Sequence, residues 1–231
     1  MGIAIKKGLG WEKVKSDKDN VVWVRVKGIG YVAAVYLPPT GRGTTAAEFI
    51  RIVKQVAEDA ANFMRISQVV VLGDFNSSIG ELRNEVGPEE TRERRSKDKV
   101  VDTRGRKLMK IFNKAGLFVT NGVGAEADFT FENTSNGRSV IDLIWVSTAS
   151  KVGECEEWSE ASCCVSEHSM VAVDIEGQSE ESVVRKRKTG WNRVTKEWKE
   201  EGTQRWHRWR QENEQRPVEE MWQSWKSLFE E

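Results

Sequence analysis

The sequence predicts an α/β domain followed by a charged helical extension. Three observations carry this expectation: short β-branched runs bounded by turn residues, two stretches of helical apolar spacing between such runs, and an abrupt change of composition after Ile175. With 231 residues, 38% of them hydrophobic, the chain is long enough for one sizeable core and an appendage.

Residues 21–26 and 31–37 are β-branched and aromatic between turn signals at Asp19-Asn20, Gly28 and Gly30, the pattern of a hairpin. Past Pro38-Pro39, Thr45 and Glu48 stand in capping-box spacing. Phe49, Ile50, Val53, Val56, Ala57, Ala60, Phe63 and Met64 then keep helical spacing, so an amphipathic helix follows the second strand. Residues 69–72 form a short apolar run ended sharply by Gly73, as expected of a strand buried on both faces. Its end delivers Asp74 and Asn76 to a loop. Residues 82–99 are dominated by Glu, Arg and Lys and predict a long, solvated and mobile loop. Leu108, Ile111, Phe112 and Ala115, closed by Gly116, outline a second helix with a glycine stop. Further strands are expected at 117–120, 129–131, 140–146 and 170–175.

The α/β domain is thus expected over residues 1–176 and a Trp-rich helical linker over 177–231. In the linker, Trp191, Val194, Trp198, Trp206 and Trp209 approximate one helix face behind the basic run Arg185-Lys186-Arg187-Lys188. This face reads first as a packing stripe and second as a surface for stacking bases. The basic run is weak evidence for a nuclear address.

Charge and composition bound the functions only loosely. Thirty-six basic residues balance 36 acidic ones, so a polyanionic partner is neither demanded nor excluded. Cys155, Cys163 and Cys164 form no CxxC unit, which argues for buried free thiols in a reducing compartment over a zinc cage or disulfide framework. No apolar run is long enough to span a bilayer and the amino terminus lacks the shape of a signal peptide. A soluble, intracellular protein is the expectation.

Candidate chemistry collects at strand ends. Asp74 and Asn76 leave a buried strand two residues apart, one anionic and one a neutral donor, a pairing that suits activation of water beside a phosphate. A lone Gly-Asp-x-Asn is equally an ordinary turn. Asp142 lies inside the apolar run 139–146, where an unpaired carboxylate would be costly, so it needs a partner. Of the two histidines, His168 sits just before the final strand and His207 lies among tryptophans. A lone His is more often a packed or surface residue than a catalyst, but a buried Asp beside a strand-end His favours an imidazolium able to bind a phosphate oxygen.

The order Tyr36-Leu37-Pro38-Pro39, Leu72-Gly73-Asp74-Phe75-Asn76, Ser139-Val140-Ile141-Asp142-Leu143-Ile144 and Ser166-Glu167-His168-Ser169 resembles the successive motifs of the endonuclease/exonuclease/phosphatase superfamily. The intervening Asp102-Thr103-Arg104-Gly105 with Leu108, Gly116-Leu117 with Asn121, and Phe129-Thr130-Phe131 resemble the apurinic-like endonuclease of non-LTR retrotransposons in particular. The resemblance covers roughly the first three quarters of the chain. It implies a four-layer sandwich of two mixed sheets flanked by helices. It implies that Asp74 activates water, Asn76 and His168 bind the scissile phosphate, Asp142 holds His168, and Tyr36 bonds a phosphate oxygen. Asn121, Thr130 and Ser139 would line the substrate pocket. The implied cofactor is magnesium, sometimes manganese, and the implied partners are DNA and a following reverse transcriptase region, with a nuclear location if chromosomal DNA is the target.

Two departures qualify the resemblance. The family writes Asp where this chain has Glu167, whose longer side chain shifts its oxygens by one methylene and is expected to weaken metal binding. The family also opens with a strand carrying an Asn and, farther on, a metal-binding Glu. Nothing before Tyr36 matches either, and Gly2-Ile3-Ala4-Ile5-Lys6-Lys7-Gly8-Leu9 instead resembles a strand from the middle of such domains, so the opening strands are expected to be missing. Three readings stay open: magnesium-dependent DNA nicking, weak or absent in this fragment; a phosphoesterase on a small or lipid phosphate; and a non-catalytic nucleic-acid or partner-binding remnant.

Overall fold

A computed structural model describes residues 2–17, 20–39, 41, 44–85, 93–133, 135, 137–147, 152–158, 167–176 and 208. The chain falls into two units, Met1–Glu160 with Glu167–Val183, and Ala161–Ser166 with Val184–Glu231. Of the second unit only Arg208 is described, so the expected tryptophan face, the basic run, Cys163 and Cys164 lie outside the described residues.

The first unit is α/β. Its elements in order are β1 (Trp11–Asp17), β2 (Val21–Val26), β3 (Gly30–Tyr36), α1 (Ala46–Phe63), β4 (Val69–Asp74), α2 (Thr103–Lys114), β5 (Leu117–Val119), β6 (Phe131–Glu132), β7 (Arg138–Ser139), β8 (Asp142–Ser147), β9 (Val152–Trp158) and β10 (Met170–Ile175). Six strands form one mixed sheet in the order β1-β2-β3-β4-β8-β5, while β9 pairs with β10 and β6 with β7. β3 and β4 run parallel, with α1 as their crossover; the other pairs in the large sheet are antiparallel.

Side chains alternate across this sheet and so build two cores. One face carries Trp23, Ala33, Val35, Val69, Val71, Leu143 and Trp145 against the buried stripes of α1 and α2. The opposite face carries Val70, Phe118, Ile144 and Val146 against Val171, Val173 and Ile175 of β10. Among the described residues this gives three layers: helices, the large sheet and the small β9–β10 sheet.

The helices begin where side-chain caps supply acceptors for orphan amides. Thr45 Oγ1 accepts from Glu48 N at 3.1 Å, while the Glu48 carboxylate turns to Arg51 instead of closing the capping box. Asp102 caps α2 through Gly105 N, and Gly116 follows the helix with a φ of 86°.

Four expectations are corrected. Residues 2–9 form no strand; the first strand is Trp11–Asp17, a charged sheet edge whose pattern gives little strand signal. β9 was not expected at all. Leu72 is 37% exposed, so β4 is not covered on both faces along its whole length. The loop 82–99 is not uniformly solvated: Asn84, Arg94, Ser96 and Asp98 are buried. Arg94 donates through Nε to the Asn121 carbonyl and through Nη1 to those of Gly80 and Leu82, which offsets part of the cost of burying a guanidinium. Residues 86–92 of that loop lie outside the described ones. No helix among the described residues is long and apolar enough to cross a membrane.

Candidate active site

The site is built on one cross-strand row. Tyr36 at the end of β3 is in register with Asp74 at the end of β4, and Asp74 with Asp142 at the start of β8. Side chains in register on adjacent strands share a face. Three residues separated by up to 106 positions in the chain are thereby brought side by side, on the face that carries β10.

The backbone at Asp74 explains why its neighbours are what they are. Gly73 has a φ of 145°, and a Cβ there would run into the Val35 carbonyl of β3, so only glycine permits the close approach of the two strands. Phe75 is fully buried and anchors the loop edge-on against Phe112 and Trp145. Asn76 takes a left-handed φ of 44°, which Asn tolerates better than most residues. Its amide N and its Nδ2 donate to the two oxygens of Asp74 at 2.8 and 2.7 Å. The turn reading and the catalytic reading of Gly-Asp-x-Asn therefore coexist: the turn aims the carboxylate and leaves it lone pairs for a further donor.

His168 arrives from a different part of the chain. Phe131 and His168 form an antiparallel bridge, their rings 5.0 Å apart, and Ser169 N donates to Thr130 O at 2.7 Å. This sets His168 Nδ1 2.9 Å from Asp142 Oδ2. Burial raises the pKa of both carboxylates above the ordinary Asp value, opposed at Asp142 by the hydrogen bond from His168 and at Asp74 by the amide of Asn76. The nearby Asp142 charge adds to the rise at Asp74, so this carboxyl is a proton acceptor of more than ordinary strength.

Three expected pocket residues stand behind this row. Thr130 is fully buried, and its Oγ1 accepts from the N–H groups of Ile141 and Asp142, each at 3.0 Å. Asn121, also fully buried, accepts from Ile144 N at 2.9 Å and donates to Asp142 O at 3.2 Å. Both spend their polar atoms on the strand that carries Asp142, so in this structure they support the site from behind. Ser139 is half-buried in β7, and its carbonyl accepts from Thr130 N at 3.0 Å. Asp98 and Arg104 were not expected in the site at all. Buried Asp98 accepts from Val140 N at 3.1 Å and so steadies the approach to β8. An isolated Asp in a charged loop gives no sequence signal of this; the only hint for Arg104 is its place in Asp-Thr-Arg-Gly.

Glu167 is exposed, and its carbonyl accepts from Glu132 N at 2.8 Å. Among the described residues no group of three or more His, Cys, Asp or Glu is placed to hold a metal ion. Magnesium takes one or two protein carboxylates beside its waters, and the described residues do not complete such a centre on their own.

Comparison with known proteins bears on the fold and the family. The model of the endonuclease-reverse transcriptase family matches residues 30–172, a span that includes every residue of the row. A comparison with curated proteins finds no match. Among solved structures, the endonuclease domain of TRAS1, a telomere-specific non-LTR retrotransposon, is similar at 16% identity and a TM-score of 0.53, over 75% of this chain and 72% of that one. A 3'-5' exonuclease, NExo, from Neisseria meningitidis is similar at 17% identity and a TM-score of 0.50, over 73% and 71%. At such identities the structural likeness speaks for the fold, and the family match speaks for descent. The chain belongs to the endonuclease-reverse transcriptase family, within the endonuclease/exonuclease/phosphatase superfamily of divalent-metal-dependent nucleases and phosphoesterases.

Proposed function

We propose that the protein is a DNA-nicking endonuclease of retrotransposon type that hydrolyses a phosphodiester by in-line attack of water. The observation that carries the reading is the row of Tyr36, Asp74 and Asp142 with His168 held at 2.9 Å from Asp142. Asp74 takes a proton from water as its oxygen bonds to phosphorus, and the ester bond opposite breaks, its oxygen taking a proton from solvent. Asn76 and Tyr36 donate to the phosphate oxygens. His168, oriented by Asp142, donates to the same phosphate and offsets the charge that builds up on it. Asn121, Thr130 and Ser139 act on substrate through the strands they hold.

Magnesium, or manganese in its place, is the cation the family implies, and Glu167 is the carboxylate of this chain proposed to contribute to it. The described residues do not complete that centre, and no step above is assigned to the cation. The DNA substrate and a nuclear site of action are part of the proposal. The DNA substrate is favoured by the family and by the retrotransposon origin of one structural neighbour; the nuclear site follows only if that DNA is chromosomal.

The test is conversion of supercoiled plasmid to the nicked circle with and without magnesium. Asp74→Ala and His168→Ala are each expected to lower the rate at least a hundredfold, the usual worth of a positioned acid or base. Equal nicking by wild type and Asp74→Ala sinks the proposal. Turnover of a small phosphate ester in place of plasmid redirects it to another phosphoesterase substrate.

A further inference from the structure

Arg104 lies in the first turn of α2, and its guanidinium carbon sits 4.2 Å from the centroid of the Phe49 ring at the start of α1. Its Nη1 donates to the Pro38 carbonyl at 2.9 Å. This carbonyl is a strategic acceptor. The last ladder bond of β3 is Leu37 N to Asp74 O at 2.9 Å, and beyond it Pro38 and Pro39 have no N–H with which to continue pairing. A planar guanidinium fixed by an aromatic face supplies from the side what the ladder cannot supply from its end. The segment it holds is two residues past Tyr36, whose place in the row depends on where β3 ends.

The surrounding motif fits this task. Asp102 caps the helix that bears Arg104, and its second oxygen accepts from Ser78 N at 3.2 Å. A Cβ on Gly105 would strike the Ser78 carbonyl, so glycine lets the helix start lie directly on the loop that follows Asn76. The same guanidinium is within electrostatic reach of Asp74. Asp-Thr-Arg-Gly thus binds both loops that leave the row, the one after β4 through Asp102 and Gly105 and the one after β3 through Arg104.

We propose that Arg104 is a positioning residue: held between Phe49 and the Pro38 carbonyl, it fixes the end of β3 so that Tyr36 stays level with Asp74. Its meaning for catalysis rests on the proposed nuclease reading, but the geometry it asserts can be tested without any catalysis. The chain has only two tyrosines, and Tyr31 is a buried internal control stacked on Phe63 at 4.2 Å. In the full chain labelled with isotope-enriched tyrosine, Arg104→Met is expected to shift or broaden the Tyr36 resonance and leave that of Tyr31 in place. Arg104→Lys, which keeps a charged donor, is expected to return Tyr36 most of the way. An unmoved Tyr36 in Arg104→Met overturns the proposal. If Arg104→Met loses the Tyr31 resonance too and so fails to fold, Arg104→Gln, which stays polar but is too short to span from α2 to the Pro38 carbonyl, decides by the same criterion.

In a chain that nicks plasmid, Arg104→Met is further expected to lower kcat up to about a hundredfold with KM nearly unchanged, as for misplacement of a catalytic group. A loss confined to KM counts against positioning. A chain that nicks nothing overturns the nuclease reading and leaves the tyrosine result to judge Arg104 alone.

Discussion

The front and the back of the cross-strand row are built on opposite principles. In front stand Asp74, Asp142 and His168, partly open, with both carboxylates pushed by burial toward their protonated forms. Behind stand Thr130, Asn121, Asp98 and Arg94, buried and directed mainly at backbone, with the Thr130 hydroxyl bonded to the Asp142 carboxyl as well. The back satisfies main-chain groups and secures the strands; the front holds charge at a cost to stability. Stability and chemistry are therefore assigned to different residues a few ångströms apart, and substitution can separate them.

The largest expected effect is at the front. Asp74→Asn keeps the shape of the carboxyl but cannot take a proton, and plasmid nicking is expected to fall by a factor of about a hundred or more. The same variant is expected to melt higher than wild type at pH 7. The sign follows from linkage: a carboxyl whose pKa is raised on folding destabilises the folded state where it is ionised, a penalty that fades as pH falls through the raised value toward the ordinary one. The gain in Tm should therefore shrink on acidification, and a gain that grows at low pH breaks the assignment.

Next comes the back. Thr130→Val removes the acceptor for two buried N–H groups with little change of volume and is expected to cost about 2 kcal/mol in urea unfolding. Unchanged stability in Thr130→Val would mean that those amides have found another partner and that front and back are not divided as described. A smaller effect concerns pH and rate. If Asp74 is the base, the acidic limb of kcat/KM lies above the range of an ordinary aspartate, because burial raises its pKa. A limb in the ordinary carboxylate range points to another base.

The division also explains what could be read from the sequence. β4 and α1 were legible because a central strand and an amphipathic helix declare themselves through local pattern: Val69, Val70 and Val71 in one, and Phe49, Val53, Val56 and Ala60 in the other. Asp74 and Asn76 were legible as a pair because the turn that aims them requires residues of a narrow kind. β1 was hidden by its edge position: it is written Trp-Glu-Lys-Val-Lys-Ser-Asp, and its first four residues are exposed. Arg94 and Asp98 were hidden for the converse reason. They sit in a charge-rich stretch that composition assigns to solvent, and their partners are carbonyls and amides that no side-chain pattern reveals. The register that sets Asp74 against Asp142 is a property of two strands 68 positions apart and has no local signature.

Thr130 has one more consequence. Its hydroxyl holds the start of β8, where Asp142 sits, and its carbonyl holds Ser169, the neighbour of His168. The carboxylate and the imidazole, 26 residues apart, thus share one fixed reference point. A thermal displacement of that point carries both partners in the same direction and cancels in their separation, much as two instruments on one bench keep their alignment when the bench moves. The distance between Asp142 and His168 can therefore stay narrow even where each fluctuates against the rest of the sheet, and precision at the site does not require rigidity of the whole domain.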